Sequence, residues 1–125
     1  MKFFVCNRCG NLVGSIHNSG VPMICCGEKM AELVPNTKEA SVEKHLPVAS
    51  ISDGKLEVQV GSTLHPMEEE HYIKFVYVET KSGGMRKSLT IGQEPKVSFV
   101  FSADDKPIAV YAYCNLHGMW KTEIQ

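Results

Sequence analysis

Long apolar runs are missing from this sequence. The N-terminal run Phe3-Phe4-Val5 is three residues, where a secretory leader needs about 7–15 and a membrane span about 18. Export and membrane insertion are therefore not expected, and a cytoplasmic location is. Charge of one sign is missing too. Thirteen Lys and Arg against 14 Asp and Glu leave a net charge of −1. No basic run or basic–aromatic stripe is present, which argues against a nucleic-acid surface. No internal repeat, low-complexity tract or sustained helical period appears. An even cysteine count is lacking as well. Five cysteines in a reducing compartment read as metal ligands before disulfides, four in one group and one apart.

What remains is an ordinary globular composition, 43% hydrophobic and 22% charged. A chain of 125 residues suits one core, or a core of about 90 residues beside a small metal-stapled module. Residues 1–36 read as that module. Cys6-Asn7-Arg8-Cys9-Gly10 is a CxxC turn closed by glycine, and Cys25-Cys26-Gly27 supplies a second pair. Four thiolates in two pairs predict a tetrahedral site for iron or zinc. The adjacent Cys25 and Cys26 can meet one ion only if the backbone turns sharply between them. The segment 11–16 reads as a short strand, and His17 as a polar turn residue rather than a ligand. So few apolar residues cannot fold alone without a metal or a partner.

Residues 37–125 read differently. The segment 37–41 is a polar connector with room for one helical turn. Strands are predicted near 48–51, 56–60, 72–78, 86–91, 97–101, 108–113 and 119–124, with Asp53-Gly54 as a hairpin turn. In the third of these, Ile73, Phe75 and Tyr77 are expected on one face, Tyr72, Val76 and Val78 on the other. Seven short strands with turn signals between them predict an all-β sandwich.

Five metal-ligand candidates fall in this second part: His45, His65, His71, Cys114 and His117. Cys114 and His117 share one turn. A structural zinc site closes with four ligands, so five with one thiolate point to iron, nitrogens in a plane and sulfur on the axis. An axial thiolate pushes electron density through the metal. The amides of Leu116 and His117 are placed to donate to the Cys114 sulfur. The acidic run Glu68-Glu69-Glu70 reads as a solvated face, with a secondary reading as an orienter of His71. Tyr111, Tyr113 and Trp120 read as core or pocket wall.

These motifs resemble desulfoferrodoxin, the two-iron form of superoxide reductase, along the whole chain. Glu43-Lys44-His45, His65-Pro66-Met67, Glu69-Glu70-His71 and Cys114-Asn115-Leu116-His117-Gly118 carry the resemblance, together with Cys6, Cys9, Cys25 and Cys26. The resemblance implies a desulforedoxin-like module over residues 1–36 and an immunoglobulin-like catalytic sandwich over 37–125. It implies two irons per chain, with zinc as a substitute in the tetrathiolate site, and a homodimer. The implied reaction is one-electron reduction of superoxide to hydrogen peroxide without release of dioxygen, fed by a rubredoxin-like donor. It places Lys44 near the open iron face, where it would draw in an anion. It makes Glu43 the carboxylate that closes on ferric iron after product leaves, on a mobile loop. The alternative reading is an iron electron-transfer protein that turns over no substrate.

Overall fold

A computed structural model describes residues 1–125. The chain divides into two compact units, Met1–Val34 and Pro35–Gln125. Asn36 belongs to the second. Its amide donates to the Met119 carbonyl at 3.0 Å, and its side-chain oxygen accepts the Lys121 amide at 2.8 Å.

In the first unit, β1 (Lys2–Val5) is flanked by β2 (Leu12–Ser15) and β5 (Ala31–Glu32), with a two-stranded hairpin of β3 (Ile24–Cys25) and β4 (Glu28–Lys29). Only Phe3 and Cys6 are buried here. The hairpin explains the adjacent cysteines. Cys25 pairs with Glu28, so Cys26 and Gly27 form a two-residue loop with φ of 53° and 75°. That is the positive-φ pattern of a type I′ turn. It takes the Cys26 side chain out of strand alternation and lets it meet the same ion as Cys25.

The second unit is an antiparallel sandwich. One sheet has the order β10–β7–β6, with β6 Pro47–Ser52, β7 Lys55–Val60 and β10 Lys96–Val100. The other runs β12–β11–β8–β9, with β8 Ile73–Thr80, β9 Gly84–Ser88, β11 Pro107–Cys114 and β12 Gly118–Glu123. All seven predicted strands are present. The Asp53-Gly54 turn links β6 to β7 with both φ angles positive. Alternation puts Leu56, Val58 and Val60 of β7 and Val110, Ala112 and Cys114 of β11 into one core with Phe99.

Two local expectations change. The segment 37–41 holds no helix; the one helical turn, α1, is Val42–His45. Ile73 does not share a face with Phe75. It joins Val76 and Val78 in the core, while Phe75 stacks on Tyr113 at 5.8 Å. The cause is a register slip: Phe75 pairs with Tyr113, but Ile73 with Cys114. The extra residue on β8 reverses the phase of the strand end. Simple period-two reading cannot see such a slip.

Candidate metal centres

In the first unit, the Sγ atoms of Cys6, Cys9, Cys25 and Cys26 lie within 4.8 Å of one another. Each pair sits on a tight turn. The Gly10 amide donates to the Cys6 carbonyl at 2.9 Å, closing the CxxC loop, and the Cys9 and Asn11 amides point at Cys6 and Cys9 sulfur. The amides of Cys9 and then Arg8 pull the Cys6 thiol down to about 6. The Cys9 and then Cys6 side chains push Cys26 up to about 12, and the same two raise Cys25. Thiols that hydrogen-bond to a neighbouring thiolate keep their protons, and at Cys26 the charge on Cys6 adds to the rise. A bound cation removes that conflict and takes all four as thiolates.

The second cluster lies at one end of the sandwich. His45 ends α1 just before β6, and His65 follows the end of β7. His71 precedes β8, Cys114 ends β11, and His117 sits in the turn into β12. The antiparallel ladders bring these strand ends together: Pro47 pairs with Val60, Cys114 with Gly118 and with Ile73. One ligand atom each from His45, His65, His71 and Cys114 lies within 4.8 Å of the others. His117 lies beside them, its Nδ1 3.1 Å from His45 Nε2 and 3.8 Å from Cys114 Sγ. The sequence places His17 apart from any ligand motif, and the structure leaves it exposed in the first unit.

Backbone carbonyls fix the rings. His45 Nδ1 donates to the Ser41 carbonyl and His65 Nδ1 to the Pro66 carbonyl, each at 2.7 Å. Each neutral ring has then spent its only N–H and presents a lone pair at Nε2. Those two Nε2 atoms face each other at 3.2 Å. Two lone pairs at that distance repel, so the contact is no hydrogen bond between neutral rings. Protonation is the costly alternative. Burial pushes His65 down to about 4 and also lowers His45 and His71. His71 Nε2 is buried with no hydrogen-bond partner. A metal cation among these nitrogens satisfies all of them at once, so the donor set fits the ion.

Burial raises the Cys114 thiol, and the amides of His117 and Leu116 oppose that rise. The His117 N–H reaches Cys114 Sγ at 3.4 Å. Trp120 holds the opposite flank. It is buried, its indole N–H donates to the His117 carbonyl at 3.1 Å, and its ring lies 4.9 Å from that of His45. Its bond to the ligand loop was not legible in sequence, nor were the carbonyls of Ser41 and Pro66, since backbone acceptors carry no sequence mark.

Lys44 is exposed, and its ammonium is among the charges that lower His45 and His71. Glu43 is not part of the donor cluster. Its carboxyl is held below the usual range, chiefly by its own backbone amide. It lines a shallow groove of about 540 Å³ with Val42, Leu46, Pro47 and Val48. Its backbone is tied down, since the Glu43 carbonyl accepts from the Thr63 amide at 3.0 Å and from Ser62 Oγ at 3.2 Å. Glu68 opposes the lowering of His71 by its negative charge.

Comparison with known proteins agrees with this geometry. The sequence pattern of the family described as desulfoferrodoxin matches residues 37–123. A desulfoferrodoxin homolog from Archaeoglobus fulgidus is 38% identical, over 98% of this chain and 96% of its own. Among solved structures, the superoxide reductase from Treponema pallidum superposes with a TM-score of 0.83 at 35% identity, covering 98% of both chains. The one-iron superoxide reductase from Giardia intestinalis covers 66% of this chain and 98% of its own, with a TM-score of 0.56 at 32% identity. The chain belongs to the desulfoferrodoxin family.

Proposed function

We propose that this protein is a superoxide reductase. One observation carries the reading: four imidazoles and one thiol converge at the end of the sandwich, with lone pairs that face each other and lack partners. His45, His65, His71, His117 and Cys114 would hold an iron, which would supply the single electron that, with two protons, converts superoxide to hydrogen peroxide.

The chain's own residues do the rest. Ser41 and Pro66 carbonyls hold two rings with Nε2 inward. The His117 amide, donating to Cys114 Sγ, moderates the electron density the thiolate offers. Trp120 covers the flank of His45 and keeps water from it. Lys44, exposed and within electrostatic reach of His45 and His71, draws the substrate anion toward the cluster. Glu43 is the candidate carboxylate ligand of the oxidised site. Its side chain would have to leave its own amide to do this, and the tethered backbone beneath it confines the motion to the side chain.

Cys6, Cys9, Cys25 and Cys26 hold a second iron, and the same all-sulfur set accepts zinc. Five free thiols suit a reducing compartment, the cytoplasm. A small metalloprotein of the rubredoxin type is the proposed electron donor. The first unit exposes Ile16, Val21 and Ile24, at 99%, 73% and 63%, and this apolar surface suits a homodimer contact.

The test is product stoichiometry. Fully reduced, iron-loaded protein mixed anaerobically with superoxide should yield one hydrogen peroxide per superoxide consumed and no dioxygen. Dioxygen released in a one-to-two ratio to superoxide would make it a dismutase. Absence of any reaction would favour an iron electron-transfer protein.

A further inference from the structure

The slip near the ends of β8 and β11 leaves a question of how His71 is held. The ladder is regular from Ala109–Glu79 to Tyr113–Phe75, shifts, and ends at Cys114–Ile73. Beyond it, both strands become ligand-bearing loops. His71 lies on one; Cys114 and His117 lie on the other. No regular ladder holds the two loops at a set spacing.

One side chain takes over. The Asn115 amide donates to the Tyr72 carbonyl at 3.1 Å. Its Oδ1 accepts the Tyr72 amide at 2.8 Å, and its Nδ2 donates to the Glu70 carbonyl at 2.9 Å. The carboxamide therefore grips the residue on each side of His71. Both bonds require this orientation of the amide, since an N–H must meet a carbonyl and an oxygen must meet an N–H. Tyr72 has both its backbone groups on Asn115. Glu68 and His71 close the same loop with two reciprocal backbone bonds of 2.9 and 3.1 Å. The loop is thus a small closed unit, docked through Asn115.

We propose that Asn115 is the positioning residue that sets His71 against Cys114 and His117. It touches no substrate. It acts through its neighbours: Cys114 precedes it directly, and His117 is two residues on. The inference rests on the reading of this cluster as a metal centre. The chain carries its own internal reference, because the tetrathiolate centre lies in the other unit and makes no use of Asn115.

Removing partners of this kind costs about 10–100-fold in metal affinity. The experiment loads wild type and Asn115→Ala anaerobically with iron, then follows loss of each centre to a ferrous chelator. Samples taken at intervals are separated from the chelator and oxidised, and the ferric thiolate-to-iron absorption of Cys114 and that of the tetrathiolate centre then report separately the iron left at each. Asn115→Ala should lose the Cys114-linked iron about 10–100-fold faster, with an unchanged rate at the tetrathiolate centre. Equal loss rates for the Cys114-linked iron in the two proteins would overturn the proposal. So would equal acceleration at both centres, which would mark a general loss of stability. Should Asn115→Ala not fold, Asn115→Asp keeps the acceptor for Tyr72 and loses the donor to Glu70. It should then lose the same iron faster than wild type, and a wild-type rate would overturn the proposal. A wild type that binds no iron at this cluster would instead defeat the metal-centre reading itself.

Discussion

The two metal clusters are built on opposite principles. In the first unit the ligands come from two tight turns, and only Phe3 and Cys6 are buried. Cys9 and Cys26 are exposed. There the ion supplies most of what a core would. In the second unit the sandwich is complete without the ion: Leu56, Val58, Val60, Val76, Val78 and Val110 are all essentially inaccessible. The ligands there hang from strand ends that a packed core already holds. A thiolate cluster can be made by its metal, whereas an open imidazole–thiolate site must be held ready by the protein.

The largest effect that tests this contrast is metal removal. Stripping both centres with a chelator under reducing conditions should abolish amide protection across residues 1–34 and leave it in β7, β8 and β11. Hydrogen exchange reads this residue by residue. Protection retained in both units would erase the contrast.

Next comes Gly61, which sits under α1 with φ of 84°. A Cβ there would collide with the Thr63 carbonyl oxygen and meet the Lys44 carbonyl oxygen at 2.7 Å. Gly61→Ala should cost about 2–4 kcal/mol of stability and lower iron occupancy at the imidazole cluster by displacing His45. Urea unfolding with iron analysis measures both, and an unchanged midpoint would show that the loop yields freely.

A smaller effect belongs to Lys44. Lys44→Ala should slow the second-order reaction with superoxide about tenfold at low salt while keeping the iron. The difference should shrink as salt rises, because screening removes steering. Equal rates at low salt would remove Lys44 from the mechanism.

The smallest effect is the acid response of the metal-free chain. His65 titrates near 6.5 when unfolded and at about 4 when folded. Below pH 6.5 the unfolded chain binds a proton that the folded chain refuses. Stability from this ring is complete above that pH and lost as pH falls toward 4. The urea midpoint of the sandwich should therefore drop between pH 7 and pH 5. A rise would mean that the rings prefer to be charged in the fold.

Much of this was legible in the sequence because it rests on local signals. The two cysteine pairs, the Asp53-Gly54 turn and the strict alternation of β7 each announce themselves over a few residues. Conflict with those local rules hid the rest. The phase of Ile73 depends on a bulge that only pairing with β11 reveals. The short strand β1 carries an apolar run with no alternation, and β3 and β4 are two residues each. Glu43 shows the limit most clearly. The motif marks it as a ligand-loop residue, yet its carboxyl rests on its own amide and its backbone is pinned to residues 62 and 63. Asn115 was visible as a motif residue, but its task depends on two loops meeting across the sheet end.

The buried imidazole–thiolate end should carry out the superoxide chemistry alone. The most direct measurement uses a Cys9→Ser, Cys26→Ser double variant, loaded anaerobically with iron and mixed rapidly with superoxide. One iron per chain, a thiolate-to-iron band that returns on oxidation, and a wild-type second-order rate would bear the claim out. Failure to react with that iron in place would contradict it and move the first step to the tetrathiolate unit.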